Sequence, residues 1–476
     1  MGHHDRKKYP NFDFLKSELK VSSLNNAIDG LLLSHFHLDH CASLPFLVET
    51  EDFSKPILTS QPTRAILPYM LKDFARVTKD NIFQCNEKHI AKVMSLVETL
   101  GLGEERMIRD VKIKMFYAGH VLGAVMFLME YKGVRVLYTG DFNSAADRHL
   151  GSLNVEKCWP HVVITESTYA TVMKQWKKQR EMQFMALAKR TLERGGKVLI
   201  PVFALGRAQE LMILIDNLWS KTGWQVPVFY SGGLVDRVQF YYRLFLPWTN
   251  ENLKRSGYTD SKRLSGFTRF RKLVSGQVKA EGPMVILATP GMLHAGKSLE
   301  LFKELCEDPR NSLLIPGYCV RGTFGERLLS GQKELRIHEK QFTVRMEVAK
   351  MSFSAHADSK GITDLLEYLE PHHVVFVHGD KKRMFGLAEY LKDKKGYKCH
   401  CPANHQSLQM KVSIGGMCPV RKSVQRFGIP LDMQGNRPES GIWKVSVDGE
   451  KVKVESILKG VKTILVRRKM GSDLNG

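Results

Sequence analysis

The sequence lacks the marks of an exported or membrane-bound chain. No apolar run reaches the roughly 18 residues needed to cross a bilayer, and the opening MGHHDRKKYPNF has no hydrophobic stretch of the kind that directs secretion. Arg6 stands where the myristoylation pattern requires Ser or Thr, so no lipid anchor is expected at Gly2. Cysteine is sparse and scattered, at positions 41, 85, 158, 306, 319, 399, 401 and 418. With no CxxC pair and no framework spacing, a disulfide scaffold and a structural zinc module are both excluded, and a reducing compartment fits. Cys399 and Cys401 flank His400, a pattern that reads as a buried strand end. Acidic residues are also in deficit, 49 against 71 Lys and Arg, for a formal charge of +22. That balance favours a polyanionic partner, nucleic acid above all, over a small neutral substrate. The excess is not confined to the tail, because residues 421–476 hold only 12 basic and 6 acidic side chains.

What is present is a chain of 476 residues with 43% hydrophobic content, enough for two or three domains. Between residues 28 and 170 the segments AIDGLLLSHF, PILTS, DVKIKMFYA, AVMFLMEY, VRVLYTGD and HVVITEST read as strands. PTRAILPYMLKDFARVTK and NEKHIAKVMSLVETLG carry apolar residues at helical spacing, and YKGVR reads as a hairpin connection. From about 180 an apolar strand, a glycine turn and a helix recur four times, in VLIPVFALGRAQELMILI, VPVFYSGGLVDRVQFYYRL, VILATPGMLHAGKSLELF and LLIPGYCVRGTFGERLL. Such units predict a parallel sheet whose helix N-termini face its carboxyl edge and favour phosphate. Arg207, His294 and Arg321 lie near those turns and are the candidates for holding RNA phosphates. After residue 400 the pattern weakens into a linker, then recovers as IWKVSVDGEKVKVESIL, a hairpin signal about Asp448 and Gly449.

The chemistry concentrates at strand ends. HFHLDH places His35, His37, Asp39 and His40 within six positions directly after an apolar run. In extended backbone, residues two apart face the same way, so His35 and His37 can address one metal ion. Once the chain turns after Leu38, Asp39 and His40 can address a second. His120 after MFYAG, Asp141 after VLYTG and His378 after VVFV sit where a sheet edge would present them to the same centre.

HFHLDH, AGH at 118–120, TGD at 139–141, EST at 166–168, SAHAD at 354–358 and VHG at 377–379, in this order, resemble the metallo-β-lactamase fold in its nucleic-acid-processing branch with an inserted β-CASP domain. Within that branch ESTYAT, GGKVLIPVFALGRAQEL, YYRLFLPWTN, ATPGMLHAG, PGYCVRGT and MSFSAHAD look like the Integrator-type RNA endonucleases, with the polyadenylation endonucleases more distant. The likeness covers roughly residues 9 to 405.

The resemblance implies an α/β fold, an αββα sandwich with its N-terminal strands missing, an inserted β-CASP parallel-sheet domain and a small C-terminal β-containing module. It places the first part of the metallo-β-lactamase domain at 1–170, β-CASP at 171–350 as a lid over the metal cleft, the return segment at 351–412, and the linker and module at 413–476. It implies two zinc ions, one on His35, His37 and His120, the other on Asp39, His40 and His378, with Asp141 bridging. Paired ions of this kind polarise a phosphoryl oxygen and make water nucleophilic near neutral pH. The implied catalytic set is His356 as general acid, Glu166 orienting it, and Asp39. The implied partners are RNA, a noncatalytic sister subunit and other subunits of the Integrator complex, without a membrane; the implied location is the nucleus, with the cytoplasm as a further one. The expected activity is cleavage of nascent transcripts, small nuclear RNA included. The alternatives are the endonuclease of mRNA 3′-end formation, a related DNA-repair nuclease, and a catalytically impaired form that binds RNA and partners without cutting.

Overall fold

The computed structural model of the chain describes residues 9–77, 83–174, 177–203, 205–231, 240–259, 269–274, 276–317, 319, 322–337, 339–351, 353–404, 406–412, 443–448, 451–456 and 464–466. The sequence-predicted linker after 412 and Arg321 lie outside these residues. The chain divides into two compact units, one of Met1–Ala145, Ser152–Met173 and His356–Gly476, the other of Ala146–Gly151 and Lys174–Ala355. Among the described residues no helix is long and apolar enough to cross a membrane.

The first unit contains two seven-stranded sheets. One is built on Glu105–Ile108, Val111–Tyr117, Val125–Tyr131, Val134–Tyr138, Val162–Glu166, His373–Val377 and Lys398–His400. Its first four strands form an antiparallel meander, with a tight turn at YKGVR where Lys132 and Gly133 both take positive φ. From Val134 onward neighbours run parallel, so Tyr138, Glu166 and Val377 end at the same edge. Val162–Glu166 and His373–Val377 are buried along their whole length, as expected for a strand covered on both faces.

The other sheet of this unit holds Gly30–Leu32, Ile57–Thr59 and Val97–Thr99, all parallel. Its apolar side chains pack with Phe12, Leu15, Leu44, Leu47, Leu67, Leu71, Ile90 and Val93. The expected helix over NEKHIAKVMSLVETLG is shorter than its pattern, because it stops at Leu96 and Val97–Thr99 pairs with Ile57–Thr59. Sheet pairing overrides the helical spacing of the last apolar residues there. The predicted hairpin about Asp448 forms between Trp443–Asp448 and Lys451–Ser456. It continues this sheet, since Ile464–Val466 pairs parallel with Trp443–Val445 and antiparallel with Gly30–Leu32.

The second unit is centred on a six-stranded, all-parallel sheet that contains the four strands of the predicted repeat. Trp219, Phe184, Ile215 and Leu214 fill one core against it, and Phe302, Leu301 and Leu293 another.

The edge where Val162–Glu166 and His373–Val377 end is tightly joined. The Ser167 N–H donates to the His378 carbonyl at 3.2 Å, and the Ser167 hydroxyl donates to the Val377 carbonyl at 2.8 Å. A Cβ on Gly379 would meet Ser167 Oγ at 2.2 Å and the Ser167 carbonyl oxygen at 2.6 Å, so the approach requires glycine. Gly379→Ala is expected to cost about 1–3 kcal/mol, the usual scale of overpacking, and to lower the melting temperature. An unchanged melting temperature would mean that these strand ends part without strain.

Candidate metal centre

The loop after Gly30–Leu32 builds the first part of the site. The chain leaves regular structure after Leu32, and His37, itself extended, caps the short helix Leu38–Cys41, which carries Asp39 and His40. Phe36 is fully buried, and its carbonyl accepts from Cys41 Sγ at 3.2 Å, which closes the turn. The chain therefore turns at Leu38, where the sequence indicated.

His35 Nε2 lies 3.1 Å from His37 Nδ1, and His120 Nε2 lies 3.1 Å from the same atom. His120 follows Val111–Tyr117, and its ring stands edge-on to both His35 and His37 at 4.9 Å. Asp39 Oδ2 lies 3.8 Å from His40 Nε2 and 3.6 Å from His378 Nε2. Asp141, only 3% exposed, stands between the groups: its Oδ2 is 3.3 Å from both His40 Nε2 and His378 Nε2, and 3.8 Å from both His35 Nε2 and His120 Nε2. The seven residues singled out in the sequence as ligands thus meet at one edge of one unit.

Beside them, His356 Nδ1 approaches Glu166 Oε2 at 2.8 Å. Glu166 is buried and also accepts from the Phe142 N–H at 2.8 Å and the Thr168 hydroxyl at 2.6 Å. Two further groupings escaped sequence reasoning. Thr168 was visible only as the last letter of EST, yet its hydroxyl reaches His378 Nδ1 at 2.7 Å. Asp147, His149 and Glu210 come together in the second unit, where His149 Nδ1 meets Glu210 Oε2 at 3.0 Å. Spacing along the chain gives no sign of that second cluster, since Glu210 sits on the helix Arg207–Thr222.

Of the candidate phosphate-binding residues, Arg207 and His294 belong to the second unit. Arg207 opens the helix Arg207–Thr222 with its Nη1 3.8 Å from Asp147 Oδ2, so its charge already has a neighbour. His294 is exposed in the turn before the helix Gly296–Leu305. None of the described cysteines belongs to a cluster able to hold a metal. Burial pushes the Cys399 and Cys401 thiols up to about 12, which keeps them inert.

The electrostatics suit a cation. Burial lowers His35 and His120 well below the usual imidazole range and His37 to about 4, so all three stay neutral with lone pairs available. Ring nitrogens 3.1 Å apart match the about 3.3 Å expected between two donors on a tetrahedral zinc at 2.0–2.1 Å each. His378 Nε2 is buried and makes no hydrogen bond among the described residues. The donor set of imidazole and carboxylate is one that zinc accepts. Burial, then the charge of Asp141, pushes the Glu166 carboxyl up to about 8.

Three family descriptions match the chain in sequence order: the metallo-beta-lactamase superfamily over 12–180, the Beta-Casp domain over 208–328, and the Zn-dependent metallo-hydrolase RNA specificity domain over 342–402. Integrator complex subunit 11 of Gallus gallus is 41% identical over 428 residues, covering 87% of this chain and 70% of the relative. The chain belongs to the metallo-β-lactamase/β-CASP family of metal-dependent endoribonucleases. The same subunit of Danio rerio is 40% identical over 458 residues, 92% of this chain and 76% of the relative. Cleavage and polyadenylation specificity factor 73 of Drosophila melanogaster is 37% identical over 372 residues, 76% of this chain and 53% of the relative. The β-CASP match covers most of the parallel sheet, and the RNA specificity match includes His356 and His378.

Protonation sets a pH limit on the metal-free centre. His37 has a folded pKa of about 4 against about 6.5 unfolded, so between those values the unfolded chain takes up the proton first. Its contribution to stability is complete above about pH 6.5 and is lost as the pH falls toward 4. The chelated protein should therefore unfold at lower urea concentration at pH 5 than at pH 7. Equal midpoints would contradict the burial of this imidazole.

Proposed function

We infer that the chain is a zinc-dependent RNA endonuclease of the Integrator type, hydrolysing phosphodiester bonds in nascent transcripts, small nuclear RNA among them, in the nucleus. The observation that carries this reading is the position of Asp141 Oδ2, at 3.3 Å from two imidazoles of one group, His40 and His378, and 3.8 Å from two of the other, His35 and His120. Two ions would be held here, one by His35, His37 and His120 and the other by Asp39, His40 and His378, with Asp141 within reach of both groups. Bound there, two zinc ions supply Lewis acidity toward a phosphoryl oxygen and the positive charge that makes water nucleophilic near neutral pH.

The protein's own groups do the rest. Glu166 holds Nδ1 of His356, so the proton to be handed to the leaving 3′ oxygen is the one on Nε2. Glu166 is in turn fixed by the Phe142 N–H and the Thr168 hydroxyl, which orients the imidazole ring. Contacts to RNA phosphates fall to the basic surface of the chain, with His294 and Arg207 the candidates among the described residues. Such contacts are independent of base sequence, so the choice of cut site falls to partners, the noncatalytic sister subunit and other Integrator subunits. The rival substrate, mRNA at its 3′ end, draws on the 37% identity to the polyadenylation factor.

Zinc quantification and RNA cleavage by the purified chain test the reading together. Two zinc ions per chain are expected, with RNA cut in preference to DNA of the same sequence. His37→Ala should lose zinc and cleavage alike. His356→Ala should keep its zinc and slow cleavage by roughly 10²–10⁴-fold, the range for removing a general acid. A folded wild-type chain without zinc would overturn the assignment, and an unchanged rate in His356→Ala would remove that residue's role.

A further inference from the structure

Thr168 joins the two halves of the site through a single hydroxyl. Its oxygen lies 2.6 Å from Glu166 Oε2, 2.7 Å from His378 Nδ1 and 3.1 Å from the His378 carbonyl oxygen. A hydroxyl has one proton to give and two lone pairs to receive with. At 2.6 Å from a carboxylate oxygen the proton goes to Glu166, and the oxygen then accepts the N–H of His378 Nδ1. That fixes the His378 tautomer: Nδ1 carries the hydrogen, and the lone pair belongs to Nε2. Nε2 is the atom that stands 3.3 Å from Asp141 Oδ2 and 3.6 Å from Asp39 Oδ2.

The geometry points to Thr168 as a positioning residue, which aims His378 Nε2 at the metal centre and at the same time steadies the carboxylate behind His356. The inference rests on the metal-centre reading above and deepens it. A metal-bound imidazole ordinarily gives its other nitrogen to an oxygen acceptor, and losing that acceptor weakens the metal rather than the fold. The backbone at this edge has supports besides Thr168. His378 takes φ of 55°, outside the helical and strand regions, and is held there by the Ser167 N–H on its carbonyl and by the Ser167 hydroxyl on the Val377 carbonyl. The shorter contacts of the threonine hydroxyl go to side chains of the site, at 2.6 and 2.7 Å, so its removal acts foremost through His378 and Glu166.

The test is zinc affinity of the full-length chain, measured by competition with a chelator. Thr168→Val keeps the shape and deletes the hydroxyl; it should bind one of its zinc ions roughly 10–100-fold more weakly, with the metal-free fold intact by circular dichroism. Thr168→Ser restores the hydroxyl and should return affinity to within about threefold of the wild type. Histidine-labelled nitrogen NMR of the metal-free wild type at about pH 9, where Glu166 is ionised, needs no variant to fold: His378, assigned by the loss of its signal in His378→Asn, should show its proton on Nδ1. A proton on Nε2 overturns the inference. So does a Thr168→Val chain that binds both ions as tightly as the wild type, or a Thr168→Ser chain as weak as Thr168→Val. In each of these cases a wild type that still binds two zinc ions and cuts RNA leaves the proposed function standing, whereas a wild type that binds none brings that reading down first.

Discussion

Five imidazoles crowd one buried carboxylate oxygen: Asp141 Oδ2 lies 3.3–3.9 Å from nitrogens of His35, His40, His120, His356 and His378. A buried carboxylate is costly unless hydrogen-bonded or matched by positive charge. Burial removes the ordinary source of that charge, since it holds His35, His37 and His120 in their neutral form. What remains is a set of lone pairs and anions converging on a space that divalent cations satisfy better than protons do. The strand edge beneath it, with glycine required at 379 so that two strands can close up, exists to hold that convergence against its own electrostatic cost.

The same carboxylate couples the candidate metal centre to the Glu166–His356 pair. Asp141 is the second cause, after burial, of the elevated Glu166 pKa. Positive charge taken up beside Asp141 therefore lowers the Glu166 pKa and favours the ionised form, which is the form that three donors, the Phe142 N–H, the Thr168 hydroxyl and His356 Nδ1, are arranged to meet. Cations taken up at the centre would thus ionise the carboxylate that faces His356.

The part of this site that could be read from sequence is the part written by local rules. HFHLDH announces itself because alternation in extended backbone and a turn at Leu38 are properties of six consecutive residues. His120, Asp141 and His378 were readable as strand ends because apolar runs stop immediately before them, and parallel pairing then brings Asp141 and His378 to one edge. The strand and glycine repeats likewise specified a parallel sheet, which the all-parallel pairing of the second unit contains. Elsewhere distant pairing decided the outcome. Val97–Thr99 left its helical pattern for a place beside Ile57–Thr59, and the strands after 443 continue a sheet begun at Gly30. Neither preference exists in the local sequence, because both depend on which edges the rest of the fold leaves to be covered.

Thr168 shows why the supporting layer of a site is harder to read than its ligands. A ligand must be one of a few residue types, and three histidines in six positions are conspicuous. The groups behind ligands need only an oxygen at the right distance, and threonine, serine and backbone carbonyls are everywhere in a chain. Ser34 makes the same point beside His35, where its hydroxyl lies 3.1 Å from Nδ1. For both His35 and His378 it is then Nε2 that approaches Asp141, while His37 turns Nδ1 inward from a position that caps a helix. Which nitrogen each ring presents is therefore settled by the backbone path that carries it and the oxygen behind it, and the ligands named by sequence acquire a geometry only once those unremarkable neighbours are in place.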